Sequence, residues 1–169
     1  MELVIDGHNL MFFASRRNKR FAVERGEAAR DELLGLLARY QKVKGGRVVC
    51  VFDGGLAGAH LPRRSMGVGV EVVYSPPESD ADTEIKAMVA RHAAPREVRV
   101  ITSDNAIRAF VEKVGAAVSR SHDFLEEVDE TLTDDTLPSD EPIEKYEGPS
   151  DDEADFWMGV FGGEDEESK

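Results

Sequence analysis

The sequence predicts an α/β protein: a three-layer doubly wound parallel sheet followed by a disordered acidic C-terminal tail. Three observations predict it. Short apolar runs recur at Leu3-Val4-Ile5, Val48-Val49-Cys50-Val51-Phe52 and Val98-Arg99-Val100-Ile101, and helix-like segments separate them. Each run stops at an acid or a polar cluster: Asp6-Gly7, Asp53-Gly54-Gly55 and Thr102-Ser103-Asp104. Strands buried on both faces read as continuous apolar runs rather than as alternation, and strands alternating with helices argue a covered parallel sheet. Third, the regular pattern dissolves from about Thr131, where acids and prolines dominate, a composition too polar to offset the entropy of ordering.

Taken in order, the first strand ends at Asp6, and Asn9 to about Ser15 opens a helix. The cationic stretch Arg16-Arg17-Asn18-Lys19-Arg20 reads as a loop. Glu27 to Lys44 is a helix whose Leu33, Leu34, Leu36, Leu37 and Tyr40 make one apolar face, and Gly45-Gly46 stops it. A strand from Arg47 to Phe52 follows. Gly54 to Gly69, rich in glycine and carrying His60, Pro62, Arg63 and Arg64, reads as a loop. Val70 to Tyr74 is a strand. Ser79-Asp80-Ala81-Asp82-Thr83-Glu84 leads a helix that buries Ile85, Met88 and Val89. A strand over Val98 to Ile101, a helix from Asn105 to Val114, a short strand near Ala116 to Val118 and a last helix from His122 to Glu130 complete the alternation. The expected domain is therefore 1–130, with a tail over 131–169 that carries an aromatic motif at 156–161.

Charge divides the chain in the same place. From Glu126 onward there are 18 acidic and 2 basic residues, against 16 acidic and 19 basic before it; the balances are −16 and +3 within a total of −13. A basic body with an acidic appendage suggests a nucleic-acid surface. The aromatic motif offers the tail a protein partner, or an anchor against the basic body. No apolar run approaches a membrane span and the start lacks the basic and apolar regions of a signal peptide, so the expected location is cytoplasmic with no membrane partner. The single cysteine, Cys50, excludes an internal disulfide and a cysteine-cluster metal site, and reads as a buried thiol.

If the strands are parallel neighbours, Asp6, Asp53 and Asp104 converge on one carboxyl edge, where open α/β sheets bind ligands. Asp80, Asp82 and Glu84 open a helix beside them. Clustered carboxylates repel one another without a cation, and hard oxygen donors suit Mg2+ or Mn2+. Such an ion activates water and offsets phosphoryl charge. Singly, each acid has a plain alternative: Asp80, Asp82 and Asp104 as helix caps, Asp53 as a turn residue. Asn9, Thr102 and Ser103 would orient ligands or touch phosphate. Arg16, Arg17, Lys19, Arg20, Arg63 and Arg64 would hold a nucleic-acid phosphate backbone from loops at the same edge. His8, His60, His92 and His122 lack paired metal spacing, and glycine-serine nucleophile, Walker and dinucleotide motifs are absent.

Five stretches, Ile5-Asp6-Gly7-His8-Asn9, Val51-Phe52-Asp53-Gly54, Val70-Glu71-Val72-Val73-Tyr74-Ser75, Ala81-Asp82-Thr83-Glu84-Ile85 and Ile101-Thr102-Ser103-Asp104, occur in the order seen in NYN domains. Over Met1 to Glu127 the chain resembles NYN domains of the YacP type, which are PIN-like nucleases. The resemblance implies a metal-dependent endoribonuclease with Asp6, Asp82 and Asp104 as its acidic centre; Asp53 would stand beside them or support them from behind. It further implies RNA as substrate and the ribosome as a site of messenger RNA cleavage. One departure is Thr83-Glu84, where the family more often has an acid directly after the aspartate. Rival readings are a non-catalytic RNA- or ribosome-binding module, a flap-type DNA nuclease and a phosphatase. The chain is short of the helical DNA clamp of flap enzymes, and no Asp-x-Asp pair follows the first strand.

Overall fold

A computed structural model describes residues 1–56 and 62–136. His60, the aromatic motif at 156–161 and the acidic tail beyond 136 lie outside the described residues. The strands are β1 (Glu2–Asp6), β2 (Arg47–Phe52), β3 (Arg64–Gly67), β4 (Val70–Tyr74), β5 (Val98–Ile101) and β6 (Ala117–Ser119). The helices are α1 (Gly7–Arg17), α2 (Glu27–Lys44), α3 (Ala81–Arg91), α4 (Asn105–Val114) and α5 (Ser121–Thr136). They form one six-stranded sheet in the order β3-β4-β2-β1-β5-β6. All neighbours are parallel except β3 and β4.

Alternation along each strand divides the core into two layers. Leu3 and Ile5 of β1, Val48, Cys50 and Phe52 of β2, and Val70 and Val72 of β4 face α1, α2 and α5. Val4, Val49, Val51, Val73 and Val100 face α3 and α4 through Ala81, Ile85, Val89, Ile107 and Val111. Most of these side chains are fully buried, and each contributes on the order of 1.5–3 kcal/mol by leaving water. Cys50 is buried as expected, and burial pushes its thiol pKa far up.

The structure departs from the sequence expectations in three places. The glycine-rich stretch 54–69 contains β3, an antiparallel edge strand pairing Arg64 with Val73 and Gly67 with Val70. Its sequence, Arg-Ser-Met-Gly, has no β-branched residue, and the strand exists through its pairing with β4. Second, α1 starts at Gly7 and continues through Arg16 and Arg17, so those cations are helical and not in a loop. Leu10, Met11 and Ala14 anchor its buried face, and cations in a last turn suit the helix dipole. Third, α5 runs six residues past the expected end, to Thr136. Phe124, Leu125, Val128, Thr131 and Leu132 keep a helical stripe against the core. On that helix Glu127 accepts hydrogen bonds from Tyr40 and from Arg99 (2.7 Å from Nη2 to Oε2), which fastens α5 over the sheet.

Candidate active site

The chain winds outward from β1 in one direction through β2 to β4, then in the other through β5 to β6. The switch point between β1 and β5 opens at the carboxyl ends of both strands, the place where such sheets bind ligands. Asp6 ends β1 at this point. It is 6 % exposed, and it also caps α1, its Oδ1 accepting the Asn9 amide at 3.2 Å. Oδ2 accepts the Thr102 hydroxyl from the loop after β5 at 3.0 Å. Thr102 Oγ1 in turn accepts the Asp104 amide at 3.1 Å. Asp104 caps α4 by accepting the Ala106 and Ile107 amides at 2.8 and 2.9 Å on one oxygen.

Asn9 faces protein. Its Oδ1 accepts the Ser103 amide at 2.9 Å and the Ser121 hydroxyl at 2.7 Å, while Ser103 Oγ accepts the Ser121 amide at 3.1 Å. Asn9 and Ser103 therefore tie α1, the β5–α4 loop and α5 together behind the acids. Ser121, which sequence reasoning missed, is fully buried; nothing in its neighbours marks it.

Asp53 follows β2 and docks α3: its Oδ1 accepts the Ala81 amide at 2.7 Å. Asp80 is the exposed cap of the same helix, accepting the Thr83 amide at 2.8 Å, and the hydrogen bonds from Thr83 hold its pKa low. Asp82, one turn position inside, lies within electrostatic reach of Asp104, Asp80 and Asp53. Glu84 does not join them. Residues two apart on a helix point in different directions, and Glu84 pairs with Arg63 at 3.5 Å in a separate groove that also holds Glu2, Arg47 and His92.

Electrostatics single out Asp6 and Asp82. Burial raises the Asp6 carboxyl pKa to about 6 against its two hydrogen bonds, with the charges of Asp82 and Asp53 adding to the rise. Burial also raises Asp82, followed by repulsion from Asp104; the cation that eases it is Lys86, another residue the sequence reading missed. His8 is lowered by burial, with Asp53 opposing and Arg30 reinforcing. Its Nδ1 is buried without a hydrogen-bond partner among the described residues, 3.8 Å from Asp53 Oδ2.

These oxygens suit a hard divalent cation by chemistry, and their mutual repulsion is the condition that a cation relieves. The carboxylates of Asp6, Asp82 and Asp104 do not all lie within 4.8 Å of one another. Among the described residues that degree of approach occurs in the exposed set His122, Asp123 and Glu126 on α5. Arg17 already sits against that set, 3.1 Å from His122 Nδ1 and 3.6 Å from Glu126.

The six expected RNA-binding cations divide between two places: Arg63 and Arg64 stand beside the carboxyl end of β4, where Arg64 pairs with Val73, and the other four follow one another along α1 and the turn after it. Arg16 and Arg17 lie ten and eleven residues past Asp6 on α1, about 15 Å along a helix. Arg17 is paired with Asp129 at 2.8 Å, and Arg16 covers the Phe12 ring. Lys19 and Arg20 follow in a 3-10 turn beyond α1. Arg63 and Arg64 are paired with Glu84 and Glu71, Arg64 at 3.3 Å. The sequence placed these groups by chain order, whereas helix direction and nearby acids decide where their charge is felt.

The family model for the YacP-like NYN domain matches residues 3–151. The protein YacP of Bacillus subtilis (strain 168) is 30% identical over 128 residues, 75% of this chain and 74% of its own length. The crystal structure of Rae1 (YacP) from Bacillus subtilis superposes with a TM-score of 0.61 at 28% identity, covering 79% of this chain and 76% of that one. A crystal structure of a mutant of that protein, with leucine in place of a tryptophan, gives 0.61 at 26% identity, covering 79% and 77%. No described helix is long and apolar enough to cross a membrane. The chain belongs to the YacP-like NYN domain family, a family of PIN-like nucleases.

Proposed function

We propose that this chain is a metal-dependent endoribonuclease in which Asp6, Asp82 and Asp104 hold Mg2+ or Mn2+. The observation that carries the reading is Asp6: a buried carboxyl at the switch point, raised to about 6 and facing further acids. Ionising such a group is unfavourable in a protein without an ion and favourable with one. A divalent ion bound there supplies a more acidic water and charge compensation for the phosphoryl group.

The protein's own part is positioning. Thr102 and the Asn9 amide fix both oxygens of Asp6. The α4 amides fix one oxygen of Asp104. Asp53 holds the first turn of α3, and so Asp82, against the sheet. Burial and Arg30 favour neutral His8, which leaves the acids without a competing cation at that place. The substrate is RNA, with messenger RNA on the ribosome as one form of it.

The test is purified protein incubated with single-stranded RNA, matched DNA and translating ribosomes, each with Mg2+, Mn2+ or chelator. The expected result is internal cleavage of RNA with either ion and none with chelator, abolished by Asp82→Asn. Cleavage that survives chelation, or that Asp82→Asn leaves intact, overturns the proposal. Cleavage of DNA alone favours the flap-type alternative, and binding without cleavage the non-catalytic module.

A further inference from the structure

Arg30 stands apart from the other cations. It lies on the buried face of α2 among Ala29, Leu33, Leu34 and Leu37, and is only 9 % exposed. A guanidinium offers five N–H donors in a rigid fork, and those of Arg30 are not sealed in the core: the buried side-chain nitrogens without a partner among the described residues belong to His8 and Arg108. Among the described residues it has two partners. One is the Tyr74 ring, 5.8 Å from Cζ to centroid. The other is Glu27, 3.5 Å away and itself mostly exposed. By contrast Arg99, on the same side of the sheet, has its fork filled by Glu127 and Ser119. Arg30 lines a groove of about 300 Å³ between α2 and the β3–β4 pair, together with Glu27, Asp31, Leu34, Ser65 and Tyr74.

The groove belongs to the neighbourhood of the acids. The Tyr74 ring under Arg30 packs on Phe52 at the carboxyl end of β2, 6.0 Å between centroids, and Phe52 directly precedes Asp53 and meets the His8 ring at 5.4 Å. The Tyr74 ring holds the cation in place before any ligand arrives. A pre-placed, poorly filled fork beside a site for phosphodiester chemistry matches a backbone phosphate, which guanidinium binds through two parallel hydrogen bonds.

We infer that Arg30 binds a backbone phosphate of the RNA strand next to the cleaved bond, as a substrate-positioning residue supplied by the core face of α2. The inference rests on the nuclease reading above. Glu27 is the intramolecular occupant that RNA displaces.

The experiment measures binding of a short single-stranded RNA by fluorescence anisotropy over a salt series, in an Asp82→Asn parent so that cleavage does not interfere. Arg30→Met keeps the aliphatic stem and removes the fork. It is expected to weaken binding about tenfold and to reduce the slope of log affinity against log salt by about 0.7, the value of one single-strand phosphate contact. Arg30→Lys should keep most of the slope but lose affinity severalfold, because a point charge replaces the fork. Glu27→Gln, at an exposed position, should tighten binding about twofold by releasing Arg30. If Arg30→Met does not fold, as judged by its thermal midpoint, the other two variants decide. RNA binding by the parent with unchanged affinity and slope in the variants overturns the Arg30 role and leaves the nuclease reading standing. No binding of RNA by the parent overturns both.

Discussion

Two strands end in the same dipeptide, Asp6-Gly7 after β1 and Asp53-Gly54 after β2, and the two corners do different work. Asp6 is buried, caps α1 and accepts from Thr102, and its pKa is raised to about 6. Asp53 is 43 % exposed at its side chain and uses one oxygen to hold the Ala81 amide of α3. The glycines share a reason that is not backbone freedom: each lets another part of the chain come close. A Cβ on Gly7 would meet the Phe52 ring at 2.4 Å, and one on Gly54 would meet the Ser75 carbonyl at 1.9 Å. Strand position delivers an acid to the edge, while burial decides whether its charge is left uncompensated, as at Asp6, or the carboxylate serves as a brace for a neighbouring helix, as at Asp53.

The largest effect is expected at Asp6. Asp6→Asn should lower cleavage by more than about a hundredfold, since groups one step removed from a metal already change affinity or activity by about 10–100-fold. The same substitution should stabilise the metal-free protein. Between about pH 4 and 6 the folded chain binds more protons than the unfolded one, because the folded Asp6 pKa lies above its ordinary 3.8. Metal-free stability therefore falls as pH rises through that window and stays lower above it. At pH 7 the loss is on the order of 3 kcal/mol. Thermal melts in chelator should show a fall with pH in the wild type and little in Asp6→Asn. Added Mn2+ should raise the wild-type midpoint and leave that of the variant nearly unchanged. A variant less stable than wild type at pH 7 in chelator would contradict the account of Asp6.

Gly54→Ala comes next. Its clash is with backbone, which no rotamer change relieves, and the Gly54 amide also donates to Ser75 Oγ at 3.0 Å. The expected cost is about 1–3 kcal/mol, a fall of several degrees in thermal midpoint, with reduced cleavage because Asp53 moves. An unchanged midpoint would remove the close-approach explanation for this glycine. Asp53 itself is the sharper probe. Asp53→Asn keeps an acceptor for the Ala81 amide and should retain most activity. Asp53→Ala releases α3, with a loss of about 1 kcal/mol, as for other helix caps, and cleavage lower by about tenfold or more. Equal losses in the two variants would mean that the charge of Asp53, not its grip on α3, is what matters.

How much of this was legible follows from what each feature depends on. The parallel strands and the acids at their ends depend on local pattern, so Leu3-Val4-Ile5-Asp6 and Val51-Phe52-Asp53 announce themselves. β3 depends on pairing with β4 and carries no local sign. Arg16 and Arg17 read as a loop because their charge hid that they extend by two residues the helix whose buried face is Leu10, Met11 and Ala14. The acids of α5 likewise masked Thr131 and Leu132. The difference between Asp6 and Asp53 is a difference of burial, which no dipeptide encodes. Arg30 was visible only as a cation on an otherwise apolar helix face, a sign that becomes informative once the face is known to be buried.

The smallest expected effect concerns Glu84, two residues beyond Asp82 on the same helix. If proximity in sequence made a ligand, Glu84→Gln and Asp82→Asn would both remove a negative charge from the site. The helix argues otherwise: Asp82 is coupled to Asp104 and Asp53, whereas Glu84 is turned to Arg63 and to a groove with Glu2, Arg47 and His92. Glu84→Gln should therefore leave cleavage within about twofold of wild type and the response to Mn2+ unchanged. Its stability should shift by no more than about 1 kcal/mol, the range of a pair with one exposed partner. The matched measurement is a metal titration followed by cleavage of single-stranded RNA, run on both variants. A rise in the Mn2+ requirement of Glu84→Gln comparable to that of Asp82→Asn would mean that the first turn of α3 rearranges when the ion binds. The corner at Asp53 would then be a hinge for that turn and not a fixed brace.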